Sequence, residues 1–174
     1  SRMMEAIGQV YQNLGLLSRA EPFLKKMLEI RRKELGDEHP SVALGMLSVA
    51  WFDIMQGREA QAEPLVRQGV EVLQAKLPGE TWELSHGYLM LGIIHRDRSE
   101  FGPAHEYLDN ALAICEKLFG PEDERITYPL YHLGWLHKLT AEYGEAEKFY
   151  ERCLAIQERL LGPDHPSVLW TLND

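Results

Sequence analysis

The feature that most constrains this chain is a phrase that returns. Leu161-Gly162-Pro163-Asp164-His165-Pro166-Ser167-Val168 restates Leu35-Gly36-Asp37-Glu38-His39-Pro40-Ser41-Val42 from 126 residues earlier. That distance is three times 42, and two worn copies stand at the intervening steps: Leu77-Pro78-Gly79-Glu80-Thr81-Trp82-Glu83-Leu84 and Phe119-Gly120-Pro121-Glu122-Asp123-Glu124-Arg125-Ile126. A fixed period of this size marks supersecondary units that stack, each burying against the next a face it cannot bury alone.

The period divides the chain into units 1–42, 43–84, 85–126 and 127–168, with 169–174 opening a fifth. Each unit holds two stretches with apolar residues at helical spacing, for example Leu130, Leu133 and Leu136, then Phe149, Tyr150, Cys153, Leu154 and Ile156. Short breaks part them, at Leu14-Gly15, Gln56-Gly57, Arg98-Ser99 and Thr140-Ala141. Every unit therefore reads as a helical hairpin, marginal alone and stabilised by its neighbours. The long loops supply punctuation. Gly36, Gly79, Gly120 and Gly162 stand where a left-handed residue ends a helix. Pro40 and Pro166 suit a first helical turn, while Thr81 and Asp123 occupy N-cap positions. Val42, Leu84, Ile126 and Val168 recur without drift and are expected to plug each hairpin into the next.

Two columns set the packing. Gly8, Ala50, Gly92 and Gly134 recur in the first helices; Ala20, Ala62, Ala104 and Ala146 recur in the second. Small residues there let paired helices approach closely, with Leu24, Val66, Leu108 and Tyr150 interlocking beside them. Unit two departs at Gly69 and Pro78, which implies looser packing.

A small residue in helix one, an alanine twelve residues later and a large apolar residue beyond it resemble the tetratricopeptide repeat. The 42-residue period and the Leu-Gly-Pro-Asp-His-Pro-Ser-Val phrase resemble its longer, kinesin-light-chain type, over essentially the whole chain. The resemblance implies an all-α, right-handed superhelical solenoid of four helix-turn-helix repeats, one array over 1–174. Because the chain starts inside a first helix and stops a few residues into a fifth unit, it is expected to be a piece of a longer protein. The resemblance also implies a concave groove lined by the first helices, which takes a peptide segment of a partner protein. Carried onto this sequence, the lining includes Gln9 and Asn13 of unit one and Leu44, Leu47, Ser48, Trp51 and Met55 of unit two. Unit three adds His86, Leu89, Met90, Ile93, Arg96 and Asp97, and unit four adds Tyr128, Tyr131, His132, Trp135 and Lys138. Peptide contact is expected at Gln9, Asn13, Trp51, Met55, His86, Arg96, Tyr128, Tyr131, Trp135 and Lys138; the other reading of Trp51 and Trp135 is that they fill space between first helices. The Lys and Asn clamp by which relatives hold a carboxy-terminal carboxylate is missing, since Glu5, Gln9, Ser48, His86 and Met90 stand at its positions.

Composition removes other classes. A net charge of −9 gives nucleic acid or anionic lipid no electrostatic attraction, and no apolar run approaches the length of a membrane span. Cys115 and Cys153 lie inside helical patterns, as buried thiols of a reducing, cytoplasmic setting do. No phosphate loop, nucleophile elbow, zinc-protease motif or paired Cys-x-x-Cys is present, so no enzyme and no cofactor is expected. His95 and His137 stand 42 apart, His39 and His165 126 apart, so these histidines belong to a repeating cap or packing site. No metal is expected: His132 and His137 fall on different sides of a helix, and His86 with His132 would lack a third ligand. The competing function is structural, a spacer or self-assembly module without a peptide. Its feature is the apolar edge of the last second helix, 142–160, covered only by 169–174, which predicts end-to-end association.

Overall fold

The computed structural model describes residues 17–174, with side chains from Glu21 onward. The expectations for Gln9, Asn13, Gly8 and Leu14-Gly15, and for the Ala20 side chain, lie outside the described residues. Within them the secondary structure is helical, without a strand: α1 (Leu17–Leu35), α2 (Pro40–Ile54), α3 (Glu59–Lys76), α4 (Trp82–Asp97), α5 (Phe101–Phe119), a 3-10 turn (Glu124–Ile126), α6 (Thr127–Leu139), α7 (Tyr143–Leu161) and α8 (Pro166–Asn173). The pairs α2–α3, α4–α5 and α6–α7 are the hairpins of units two, three and four. The chain divides between Met90 and Leu91, inside α4, into two compact units.

In the first unit Leu24, Met27 and Leu28 of α1 meet Val42, Met46, Val49 and Phe52 of α2, with Leu65 of α3 against them. Gly69 of α3 is a close approach, where the sequence implied looseness. A Cβ there would lie 3.1 Å from Leu47 Cδ2 and 3.4 Å from the Ala43 carbonyl oxygen. The second unit buries Leu91 and Ile94 of α4, Leu108 and Ala111 of α5, and Leu130, Leu133 and Leu136 of α6. Ala146, Cys153 and Ile156 of α7 and Val168 of α8 complete that core.

The small-residue columns are where helices touch. Ala50, Ala62, Ala104 and Ala146 are buried. A Cβ on Gly92 would stand 2.6 Å from Leu108 Cγ, and one on Gly134 2.8 Å from the Tyr150 ring. Val42, Leu84, Ile126 and Val168 are all buried, as plugs should be.

Both kinds of turn follow from local chemistry. In the long loops Gly36, Gly79, Gly120 and Gly162 have φ of 79°, 80°, 88° and 86°. The following helices are capped by side chains: His39 Nδ1 accepts the Ser41 N–H at 3.1 Å and His165 Nδ1 that of Ser167 at 3.2 Å. Asp123 accepts the Arg125 N–H at 3.0 Å and Thr81 that of Leu84 at 3.3 Å. The short turns share a different device. Gly57, Ser99 and Ala141 are left-handed, with φ of 67°, 60° and 61°. In each turn the next residue donates back five positions: Arg58 N–H to Asp53 O, Glu100 N–H to His95 O, and Glu142 N–H to His137 O, each at 2.9 Å. An apolar contact often joins these two positions in such a cap. Here a polar pair does: Asp53 accepts from Arg58 Nε at 2.8 Å, His95 donates to Glu100, and His137 donates to Glu142 at 2.7 Å. His95 and His137 therefore hold turns, and the same position in unit two uses a pair of opposite polarity.

Candidate functional site

In the second unit the expected site residues gather on α6 and the end of α4. Arg96 is only 4% exposed, and its fork is occupied. Nε and Nη2 donate to Asp97 Oδ1 at 2.9 and 2.6 Å, and Nη1 donates to His132 Nδ1 at 2.7 Å. The guanidinium carbon lies 3.8 Å from the Trp135 ring centroid, a cation–π contact. Burial, then the Arg96 charge, push the His132 pKa down to about 3, so its imidazole is neutral and free to accept. Tyr131 sets its ring against His132, Trp135 and Tyr150, at centroid distances of 5.4, 6.2 and 5.8 Å. Its hydroxyl donates to Asp174 Oδ2 at 2.5 Å. Burial first, and then Asp174, push the Tyr131 pKa up. Lys138 reaches the same residue, 2.7 Å from its carbonyl and 3.3 Å from its carboxylate. Arg96 to His132 and Lys138 to Asp174 each span 36 residues, so one register joins the last turn of a first helix to the next first helix. Trp135, on this braced floor, is 36% exposed, and Tyr128 on the same helix is 53% exposed.

In the first unit Trp51 and His86 meet at 5.5 Å between centroids, and His86 stacks on Trp82 at 5.8 Å with planes 3° apart. Burial lowers the His86 pKa to about 4, a shift that Glu83 partly opposes. Met55, just past the end of α2, is exposed.

Four residues expected to line a groove are core instead. Leu47, Leu89, Met90 and Ile93 are buried. Trp82 was missed as a partner of His86, although the two stand four apart, one helical turn. No group of three His, Cys, Asp or Glu side chains suited to a metal ion occurs among the described residues. Cys115 and Cys153 are buried thiols, and burial raises the Cys153 pKa to about 11, which suits packing and not reactivity. No described helix is long and apolar enough to cross a membrane.

Solved structures share this architecture. A putative kinesin light chain of Podosopora anserina, with nearly identical tetratricopeptide-like repeats, aligns with a TM-score of 0.75 at 24% identity, over 98% of this chain and 81% of that one. A second crystal structure of that protein, carrying a substitution to methionine, gives the same TM-score and identity, over 98% and 80%. BtubC (BKLC) from P. vanneervenii aligns at 0.73 with 22% identity, over 92% of this chain and 63% of that one. At these identities the likeness is one of fold. No curated protein matches the sequence. The tetratricopeptide repeat model matches residues 1–75, 83–159 and 140–174. With its period, its small-residue columns and its hairpins, the chain belongs to the tetratricopeptide repeat family, a family of non-catalytic protein-interaction scaffolds.

Proposed function

We propose that this protein holds a peptide segment of a partner protein against the first helices, with Tyr128 and Trp135 as the contact rings of the second unit. Tyr131 and Arg96 brace the Trp135 ring from beside and beneath. Trp51, Met55 and His86 form a separate candidate contact within the first unit. The observation that carries the reading is an exposed Trp135 seated on a buried, fully engaged arginine, with exposed Tyr128 two turns earlier on the same helix. Preorganised aromatic side chains of this kind are what interface hot spots are made of. A protein partner also suits the net charge of −9, and the buried cysteines suit a cytoplasmic setting. The test is a peptide array probed with the protein and with a Trp135→Ala/Tyr128→Ala variant of unchanged helicity. Binding that survives the double substitution undiminished rejects the reading.

The exposed leucines at the end of α7 and on α8 favour a second reading, end-to-end self-association. Leu160, Leu161, Leu169 and Leu172 are all exposed. Leu172 stands 126 residues after Met46, which is fully buried. A monomer by sedimentation velocity at high concentration, with no difference between the protein and Leu169→Ser/Leu172→Ser, rejects it.

A further inference from the structure

The inference rests on the peptide-binding reading and concerns what kind of segment fits. Trp170 of α8 stands 42 residues after Tyr128 of α6, in the same repeat column, and is the more exposed of the two at 73%. Trp135 follows Tyr128 by seven residues on α6, two turns and about 10 Å along the same stripe. Three outward aromatic side chains thus belong to two consecutive first helices of the second unit.

Two things are scarce around them. The first is free charge. Lys138 is the only Lys, Arg, Asp or Glu on α6, and α8 has none. Lys138 is paired with Asp174, and Arg96, beneath Trp135, is paired with Asp97. An incoming carboxylate would have to displace one already seated. The second scarcity is of groups that grip an extended backbone. α6 carries no Asn or Gln, and α8 carries only Asn173. The Tyr131 hydroxyl is committed to Asp174, and those of Thr127 and Thr171 to backbone carbonyls. An extended peptide would bury N–H and C=O groups here without partners, which is costly. A helix arrives with its backbone already bonded.

We infer that the segment received at Tyr128, Trp135 and Trp170 is an amphipathic α-helix with an uncharged apolar stripe, and not an extended acidic peptide. Such a helix anchors through side chains about three, four and seven positions apart. The probe is a displayed library of random peptides about four turns long as helices, selected on the whole protein and counter-selected on a Trp135→Ala/Trp170→Ala variant of unchanged helicity. Enriched peptides are expected to carry apolar residues at that spacing and no Asp or Glu among them. They should gain helical circular dichroism on mixing, and their Kd should move less than about two-fold between about 50 and 500 mM salt. Enrichment of acidic or proline-broken sequences, with Kd weakening more than about ten-fold over that salt range, overturns the helical inference and leaves peptide binding standing. If nothing is enriched over the variant, both fall.

Discussion

Gly92→Ala tests the crossing of α4 and α5. The added Cβ would lie 2.6 Å from Leu108 Cγ, 2.7 Å from its Cδ2 and 3.4 Å from the Ala104 carbonyl oxygen. Carbon contacts settle at about 3.5–4.0 Å, so the shortfall against the leucine is about 1 Å. Leu108 is fully buried and has no solvent side to swing toward, so the helices themselves must part. Overpacking of this kind costs about 1–3 kcal/mol, and alanine returns about 0.5–1 kcal/mol of helix preference. With two side-chain atoms and a backbone oxygen all met at once, the net loss should be about 1–2 kcal/mol. The corresponding fall in Tm is about 2–8 °C for a chain of this size. Gly102 and Gly144 are controls, since a Cβ at either meets nothing within 4 Å. Alanine there should leave stability unchanged or raise it by up to about 1 kcal/mol. Urea unfolding followed by circular dichroism reads all three, with the slope checked for loss of cooperativity. In a Leu108→Ala background the Gly92→Ala penalty should largely vanish. If Gly92→Ala is as stabilising as Gly102→Ala, α4 and α5 do not approach as described.

Two further predictions concern protons and turns. His86 and His132 have folded pKa values near 4 and 3, both depressed by burial, so below about pH 6.5 the unfolded chain binds protons that the folded chain refuses. Stability should therefore be flat above about pH 7 and fall as pH drops from about 6.5 toward 4, by about 1–3 kcal/mol per histidine at most. Glutamates such as Glu142, whose pKa is lowered by the His137 and Thr140 hydrogen bonds, lose their contribution at lower pH still. A His86→Gln/His132→Gln protein that keeps the full loss between about pH 6.5 and 5 contradicts this assignment. At the first short turn, Asp53→Ala should cost about 1–3 kcal/mol by removing a buried acceptor from Arg58. Installing the pair used by the other two turns, Asp53→His with Arg58→Glu, should recover most of that loss in urea melts. Recovery no better than Asp53→His alone would show that the two pairings are not equivalent.

Much of this architecture was legible in the residues because its determinants are local or periodic. A left-handed glycine, a capping side chain and a small residue every 42 positions leave marks that survive divergence. Surroundings left no such mark. Leu47, Leu89, Met90 and Ile93 fall among the expected lining positions, yet they are buried, which periodicity alone does not distinguish. Arg96 read as a direct peptide contact because its ring partners, His132 and Trp135, lie 36 and 39 residues on. Gly69 read as a weakness for the complementary reason: a missing side chain and a close contact look alike in a string of letters. Trp170 stood in plain register with Tyr128, yet six residues of a fifth unit gave no helix on which to place it.

The six-residue pairings at the short turns bear on how such a protein would yield under load. Each bend is fastened by atoms from its own stretch of chain, so reopening one leaves the next fastening intact. Pulled from its ends, the chain should extend in steps, one hairpin at a time, and retrace them on slackening.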